Sequence, residues 1–215
     1  ELTERGSEIS KFDYKGALLF QLEDLISNYN PVWASALTKG RTEAKNFLPD
    51  DAFQCFKECG LFEQLSEDII KYWDKLALAY RNYSHKKLLE IGRLGEKLSY
   101  DYELNRTGTH PIWQSVESNL AGFDLLSVSE KGDSKKLQIE VKSTISEIAY
   151  SKIHITKNEW LTATNSLNYI FHLWHITATP QLFIVTIDKV ASHISEDKGD
   201  GNWESVQIPF KSIIS

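Results

Sequence analysis

An α/β fold, a mixed sheet flanked by helices and preceded by a helical N-terminal region, is what this sequence predicts, and three observations predict it. Leu137-Gln138-Ile139-Glu140-Val141-Lys142 alternates apolar and polar residues, the period-two pattern of a half-buried strand. Residues 86–106 carry Leu88, Leu89, Ile91, Leu94 and Leu98 as an apolar stripe at helical spacing. Thr156-Lys157-Asn158-Glu159 has the S/T-x-x-E form of a helix start. Helices and strands in this order bury their apolar faces best as layers, helix on sheet.

The N-terminal part is helical throughout. Residues 1–82 read as a helical region suited to recognition, coupling or dimerisation, and 83–215 as the sheet-containing domain. Gly16-Ala17-Leu18-Leu19-Phe20-Gln21-Leu22-Glu23-Asp24-Leu25-Ile26 has apolar residues at helical spacing, and Pro31 and Gly40 punctuate the segment after it. Pro49-Asp50-Asp51 resembles a helix start with acids in the first turn, and Ser66-Glu67-Asp68 opens another helix that continues through Ala77. The helix over 86–106 ends at Gly108 and Pro111. Strands are predicted over 112–118, 123–129 and 136–144, with Lys131-Gly132-Asp133-Ser134 turning between the last two. An extended piece over 150–155 leads into the capped helix at Thr156, and strands over 168–176 and 181–187 complete the sheet.

Hydrophobic content of 41% and charged content of 25% are those of a globular protein, and 215 residues can bury one substantial core plus an appendage. The longest apolar run, Leu76-Ala77-Leu78-Ala79-Tyr80, is far short of a membrane span, and no signal-peptide pattern is present. No membrane partner and a cytoplasmic location are therefore expected. Cys55 and Cys59 read as reduced thiols in a reducing compartment, with no further ligands at zinc-motif spacing. The chain starts at Glu1 and has no methionine, which leaves open a piece of a longer protein. A net charge of -6 argues against a protein that grips nucleic acid over a wide surface, and leaves room for a local basic patch.

The chemistry concentrates in Gly122-Phe123-Asp124 and Glu140-Val141-Lys142. Alternation places Glu140 and Lys142 on one face of their strand. If the strand carrying Asp124 pairs alongside, two carboxylates and one ammonium converge. Two carboxylates can hold a hard cation such as Mg²⁺, and a lysine beside it can orient or deprotonate a bound water. E-x-K alone occurs by chance on many strands, so its neighbours must carry the argument.

Those neighbours are Ile91-Gly92-Arg93-Leu94-Gly95-Glu96, Tyr100-Asp101-Tyr102-Glu103, Ile155-Thr156-Lys157-Asn158-Glu159-Trp160 and Tyr169-Ile170-Phe171-His172-Leu173-Trp174. With Gly122-Phe123-Asp124 and Ile139-Glu140-Val141-Lys142-Ser143-Thr144 they resemble the PD-(D/E)xK superfamily, and more narrowly its NO VEIN C-terminal-type domain, over residues 85–212. The resemblance implies a restriction-endonuclease-like sheet and a Mg²⁺-dependent DNA endonuclease, with Mn²⁺ able to substitute, in a bacterial restriction or phage-defence setting. It assigns metal binding to Asp124, Glu140 and the Val141 carbonyl, a water-assisting role to Lys142, and completion of the site to Glu96. The aspartate comes as Gly-Phe-Asp, without the literal Pro-Asp of the superfamily. Glu103 is the rival of Glu96, nearly on the same helical face.

Arg93, Lys97, Arg106, Lys152 and Lys157 are the candidate phosphate-backbone contacts, with solvated surface charge as the competing reading. Glu159 reads as a helix cap, Trp160 as packing against the sheet, and Ser143 and Thr144 as locally bonded strand-end hydroxyls. His172 and His175 read as core or edge residues, His110 as a loop residue, and His154 as a weaker candidate for reaching a phosphate. DNA is the expected partner, with a homodimer or further domains of a larger protein also open. The rival function is a nuclease fold that binds DNA or a protein without cutting.

Overall fold

The first two helices begin where a side chain can satisfy an otherwise free amide. In the computed structural model, which describes residues 3–118, 120–197 and 199–215, Thr3 accepts from the Gly6 N–H ahead of α1 (Glu4–Ile9) and Asp13 from the Gly16 N–H ahead of α2 (Tyr14–Tyr29). A 3₁₀ segment (Val32–Lys39), α3 (Arg41–Phe47) and α4 (Asp50–Glu58) come next. Pro49 precedes α4, and Asp50 and Asp51 occupy its first turn, where the free N–H groups favour negative charge.

The chain divides into two compact units, Glu1–Leu88 and Leu89–Ser215. The first has its own core, in which Leu19, Ile26, Leu37, Phe56, Leu61 and Leu76 are buried. Trp73 closes that core and donates its indole N–H to the Leu61 carbonyl at 3.0 Å. One helix, α5 (Glu67–Thr107), contributes residues to both units. The helix opening at Ser66 and the helix over 86–106 are thus a single 41-residue element. Between them the sequence has neither proline nor glycine, and Gly92 and Gly95 further along cost only about 1 kcal/mol each against alanine. Gly108, with φ +72, ends it and donates its N–H to the Leu104 carbonyl.

The second unit contains β1 (Ile112–Trp113), α6 (Gln114–Glu117), β2 (Leu125–Val128), β3 (Lys136–Thr144), β4 (Lys152–Thr156), α7 (Lys157–Asn165), β5 (Tyr169–His175), β6 (Gln181–Thr186), α8 (Ile187–Ala191), β7 (Ser205–Pro209) and α9 (Phe210–Ile214). Five strands form a mixed sheet in the order β1-β2-β3-β5-β6, with β3 and β5 parallel and the other pairs antiparallel. β4 and β7 form a separate antiparallel pair. The architecture is mixed α/β with a helical N-terminal region.

Several elements differ from the sequence reading. The strand expected over 112–118 pairs only at Ile112 and Trp113. Gln114 and Ser115 both donate their N–H groups to the Asp124 carbonyl, which turns the chain into α6. β7, α8 and α9 have no counterpart in the sequence pattern. The alternation of Val206 and Ile208 is short, and becomes a strand only because β4 lies opposite. Finally, β3 is covered on both faces. Leu137, Ile139 and Val141 join Leu125, Trp174 and the α5 residue Leu98 in one core. The register sets Glu140 beside Phe171 and Lys142 beside Leu173, on the face that packs with Ile153, Ile155, Ala163 and Ile208.

Candidate active site

Gly122 and the end of β2 set the position of Asp124. Gly122 has φ +73, and a Cβ there would strike the Thr162 side chain of α7. Its carbonyl accepts from the Tyr169 hydroxyl at 2.8 Å. Asp124 lies two residues on, and the antiparallel register, continued one residue from Leu125↔Ile139, sets it across from Glu140. Its N–H donates to the Ile139 carbonyl at 2.9 Å, and its Oδ2 accepts the Val141 N–H at 2.8 Å. A strand residue sends its N–H and C=O to the same side. The Val141 carbonyl therefore also faces the space beyond the end of β2, whereas Gln138 bonds toward β5 through the Asn168 carbonyl.

Glu140 is only 4% exposed. Its Oε1 accepts from Lys142 Nζ at 2.7 Å, and the same ammonium donates to Glu159 Oε2 at 2.9 Å. Glu159 lies in the first turn of α7, where it and Thr156 cap each other reciprocally. Asp124, Glu140 and Glu159 line a cleft of about 470 Å³ together with Ser115, Thr156 and Asn158.

Burial dominates the electrostatics. It pushes Asp124 up to about 6, with the Glu96 and Glu159 charges adding and the Val141 N–H and Lys142 opposing. Burial likewise raises Glu140 well above the ordinary carboxylate range, against the pull of Lys142. For Lys142 burial disfavours the ammonium, but Glu140 and Glu159 more than offset it and hold the group above an ordinary lysine. Lys142 is therefore a protonated donor and not a base.

Glu96 and Glu103 part company on α5. Glu96 Oε2 accepts from Arg93 at 2.7 Å, from the Ser115 hydroxyl and from the Trp113 indole. It is held beside the cleft-lining Ser115, and its charge acts on Asp124. Glu103 is fully buried elsewhere, bonded to the Ser127 hydroxyl at 2.6 Å and to Arg106 at 3.0 Å and 2.5 Å.

The candidate basic contacts also separate. Arg106 is not available to a phosphate backbone: besides Glu103 it donates to the Val128 and Ser129 carbonyls at 2.7 Å and 2.6 Å. Lys157 is engaged by Asp197 at 2.6 Å and Asn202 at 3.0 Å. Arg93 is exposed but shared between Glu96 and Ser115, while Lys97 and Lys152 are exposed with no partner among the described residues. His154 is exposed, and His110 accepts or donates at 2.9 Å with the Tyr100 hydroxyl. His172 is fully buried, 3.8 Å from Glu103, and burial pushes it down to about 4, so it is a neutral core residue. Cys55 and Cys59 are free thiols, and burial raises Cys59 to about 11.

Among the described residues no group of three or more His, Cys, Asp or Glu side chains is arranged to hold a metal ion. The donor set at the cleft is two carboxylates and one backbone carbonyl. Asp124 Oδ1 and Glu140 Oε2 have no hydrogen-bond partner among the described residues. Such a set suits a hard cation that binds through one or two carboxylates and keeps several waters. The sequence reading missed Glu159 as an ion partner of Lys142; the only signal was an acid in the capping position of the next helix.

The model of a protein family, Protein NO VEIN, C-terminal, matches residues 95–185. That stretch contains Glu96, Asp124, Glu140, Lys142 and Glu159 and is less than half of the chain. No curated protein and no solved structure matches the chain. Among the described residues no helix is long and apolar enough to cross a membrane.

Proposed function

We propose that the second unit is a Mg²⁺-dependent endonuclease domain of the PD-(D/E)xK, restriction-endonuclease-like type, hydrolysing phosphodiester bonds in DNA. One observation carries the reading: Asp124 stands across from Glu140 at the end of a strand pair, in a cleft, with Lys142 beside Glu140. Burying two carboxylates on neighbouring strands is costly without a cation. The family similarity over the same residues supports it, and the resemblance suggests a bacterial restriction or phage-defence setting.

Asp124, Glu140 and the Val141 carbonyl would hold Mg²⁺, with Mn²⁺ as a substitute. When bound, the ion supplies Lewis acidity to a phosphate oxygen and acidifies a water. Lys142 does not take a proton. Its ammonium has a third N–H beyond the two given to Glu140 and Glu159. That donor can align an attacking water and offset charge developing at phosphorus. Asp124, bonded to the Val141 N–H, keeps one carboxylate oxygen turned to a fixed place relative to Glu140.

A non-cleaving module that binds DNA or a protein is the second reading. The net charge of -6 and the internal engagement of Arg106 and Lys157 favour it. The test is cleavage of plain and base-modified duplex DNA by the full chain with Mg²⁺ or Mn²⁺. Lys142→Gln, which keeps a donor and spares the site an unpaired buried gap, is expected to lose cleavage and retain DNA affinity. Asp124→Asn is expected to lose cation binding and cleavage together. A wild-type chain that cuts none of these substrates, or a Lys142→Gln variant that cuts as well as wild type, overturns the enzyme reading in favour of the binding module.

A further inference from the structure

We propose that Glu159 is a positioning residue of the cation site: it carries the Lys142 ammonium, so that Glu140 is released to bind a divalent cation. The inference rests on the cation-site reading and adds to it a residue that the capping pattern alone would leave as a helix start.

The geometry is specific. Glu159 Oε2 accepts the Thr156 N–H at 3.0 Å and the Lys142 ammonium at 2.9 Å, while the Thr156 hydroxyl accepts the Glu159 N–H at 3.2 Å. The capping box thus fixes the carboxylate at both ends of its turn and aims it inward, at a lysine on a strand distant in sequence. A cap that served only its helix would have no reason to line the cleft, as Glu159 does, with 17% of its side chain exposed. Lys142 lies half-buried between two acids, and its Nζ lies 2.7 Å from the Glu140 oxygen on one side. Were Glu140 its only partner, a cation taking Glu140 would leave a buried ammonium unpaired, a state that is strongly unfavourable. Glu159 removes that conflict by offering the ammonium a second carboxylate already in place. Lys142 can then stay where it is when Glu140 changes partner.

Glu159 also acts on Asp124 and Glu140 by its charge alone, so the test must separate the two routes. Glutamine serves as well as glutamate at this capping position, so Glu159→Gln keeps the helix start and removes the charge. Mn²⁺ affinity of the full chain is measured by calorimetry for wild type, Glu159→Gln, Lys142→Gln and the double variant, with thermal melting of each. Glu159→Gln is expected to weaken Mn²⁺ about tenfold or more, as loss of one partner of a buried ion pair implies. In the Lys142→Gln background the same change is expected to cost no more than about twofold. Equal weakening in both backgrounds would show direct charge or ligation and overturn the proposal, as would a Glu159→Gln variant that binds Mn²⁺ like wild type. Glu159→Asp, which keeps the charge but withdraws it by one methylene, is the second variant should Glu159→Gln not fold. It is expected to weaken Mn²⁺ binding only when Lys142 is present, and weakening that persists without Lys142 overturns the proposal. Wild type that binds no Mn²⁺ at all sinks the cation-site reading itself, a result distinct from either failure of Glu159.

Discussion

Asp124 meets three influences at once: burial raises its pKa, two neighbouring acids raise it further, and a backbone amide and Lys142 pull it back. The outcome, about 6 against an ordinary 3.8, has a sign that can be checked. Because the folded value is the higher one, the fold favours the protonated form. Its contribution to stability is fully present below 3.8 and is lost as pH rises through about 6. A cation competes with that proton. Mn²⁺ affinity is therefore expected to rise with pH through about 6, each pH unit below that costing about tenfold from Asp124 alone. Calorimetry at pH 5 to 8 checks this, and an affinity that does not change between pH 5 and 6 would refute it. Glu103, an acid on α5, shows the contrast: it spends its charge on Arg106 and Ser127 and is structural.

Between elements, the critical approach is that of α5 to β3. A Cβ on Gly95 would fall on the Ser143 hydroxyl and 2.9 Å from Ser143 Cβ, with Val141 Cγ1 at 3.4 Å. The helix lies this close only because Gly95 has no side chain, and the approach brings Glu96, one residue on, to Trp113 and Ser115. Gly95→Ala is expected to destabilise by about 1–3 kcal/mol through overpacking, read by urea denaturation. Ser143 Oγ is buried without a hydrogen-bond partner. Ser143→Ala should thus cost little by itself and should recover part of the loss in the double variant. Additive effects of the two changes would show that the contact is not the cause.

For the molecule as a whole, charge decides how it could hold DNA. The net charge is -6, and of the five basic candidates Arg106 and Lys157 are bound internally and Arg93 is shared with Glu96. Few phosphates can then be neutralised. The slope of log affinity against log salt for duplex DNA is expected near -2 to -3, the value for about two or three phosphate contacts. Fluorescence anisotropy over a salt series, without divalent cation, measures it. A slope several-fold steeper would mean a basic surface that these residues do not supply.

The strongly patterned elements are legible from the chain alone: the strand over 136–144, the capping box at Thr156, the apolar stripe over 86–106, and the pairing of an aspartate with E-x-K across adjacent strands. These are local patterns, and local physics specifies them. Packing between distant segments settles the rest. It turns the polar face of β3 inward, because a second layer of α7, β4 and β7 covers it and leaves Glu140 and Lys142 little solvent to face beyond the cleft. It separates Glu96 from Glu103, whose helical positions are nearly equivalent but whose nearest strand residues are not. It also draws the cap residue Glu159 into the cleft, because the half-buried Lys142 ammonium has two acids within reach. Periodicity reports which face a residue occupies; which partner waits on that face is set by contacts between segments far apart in sequence.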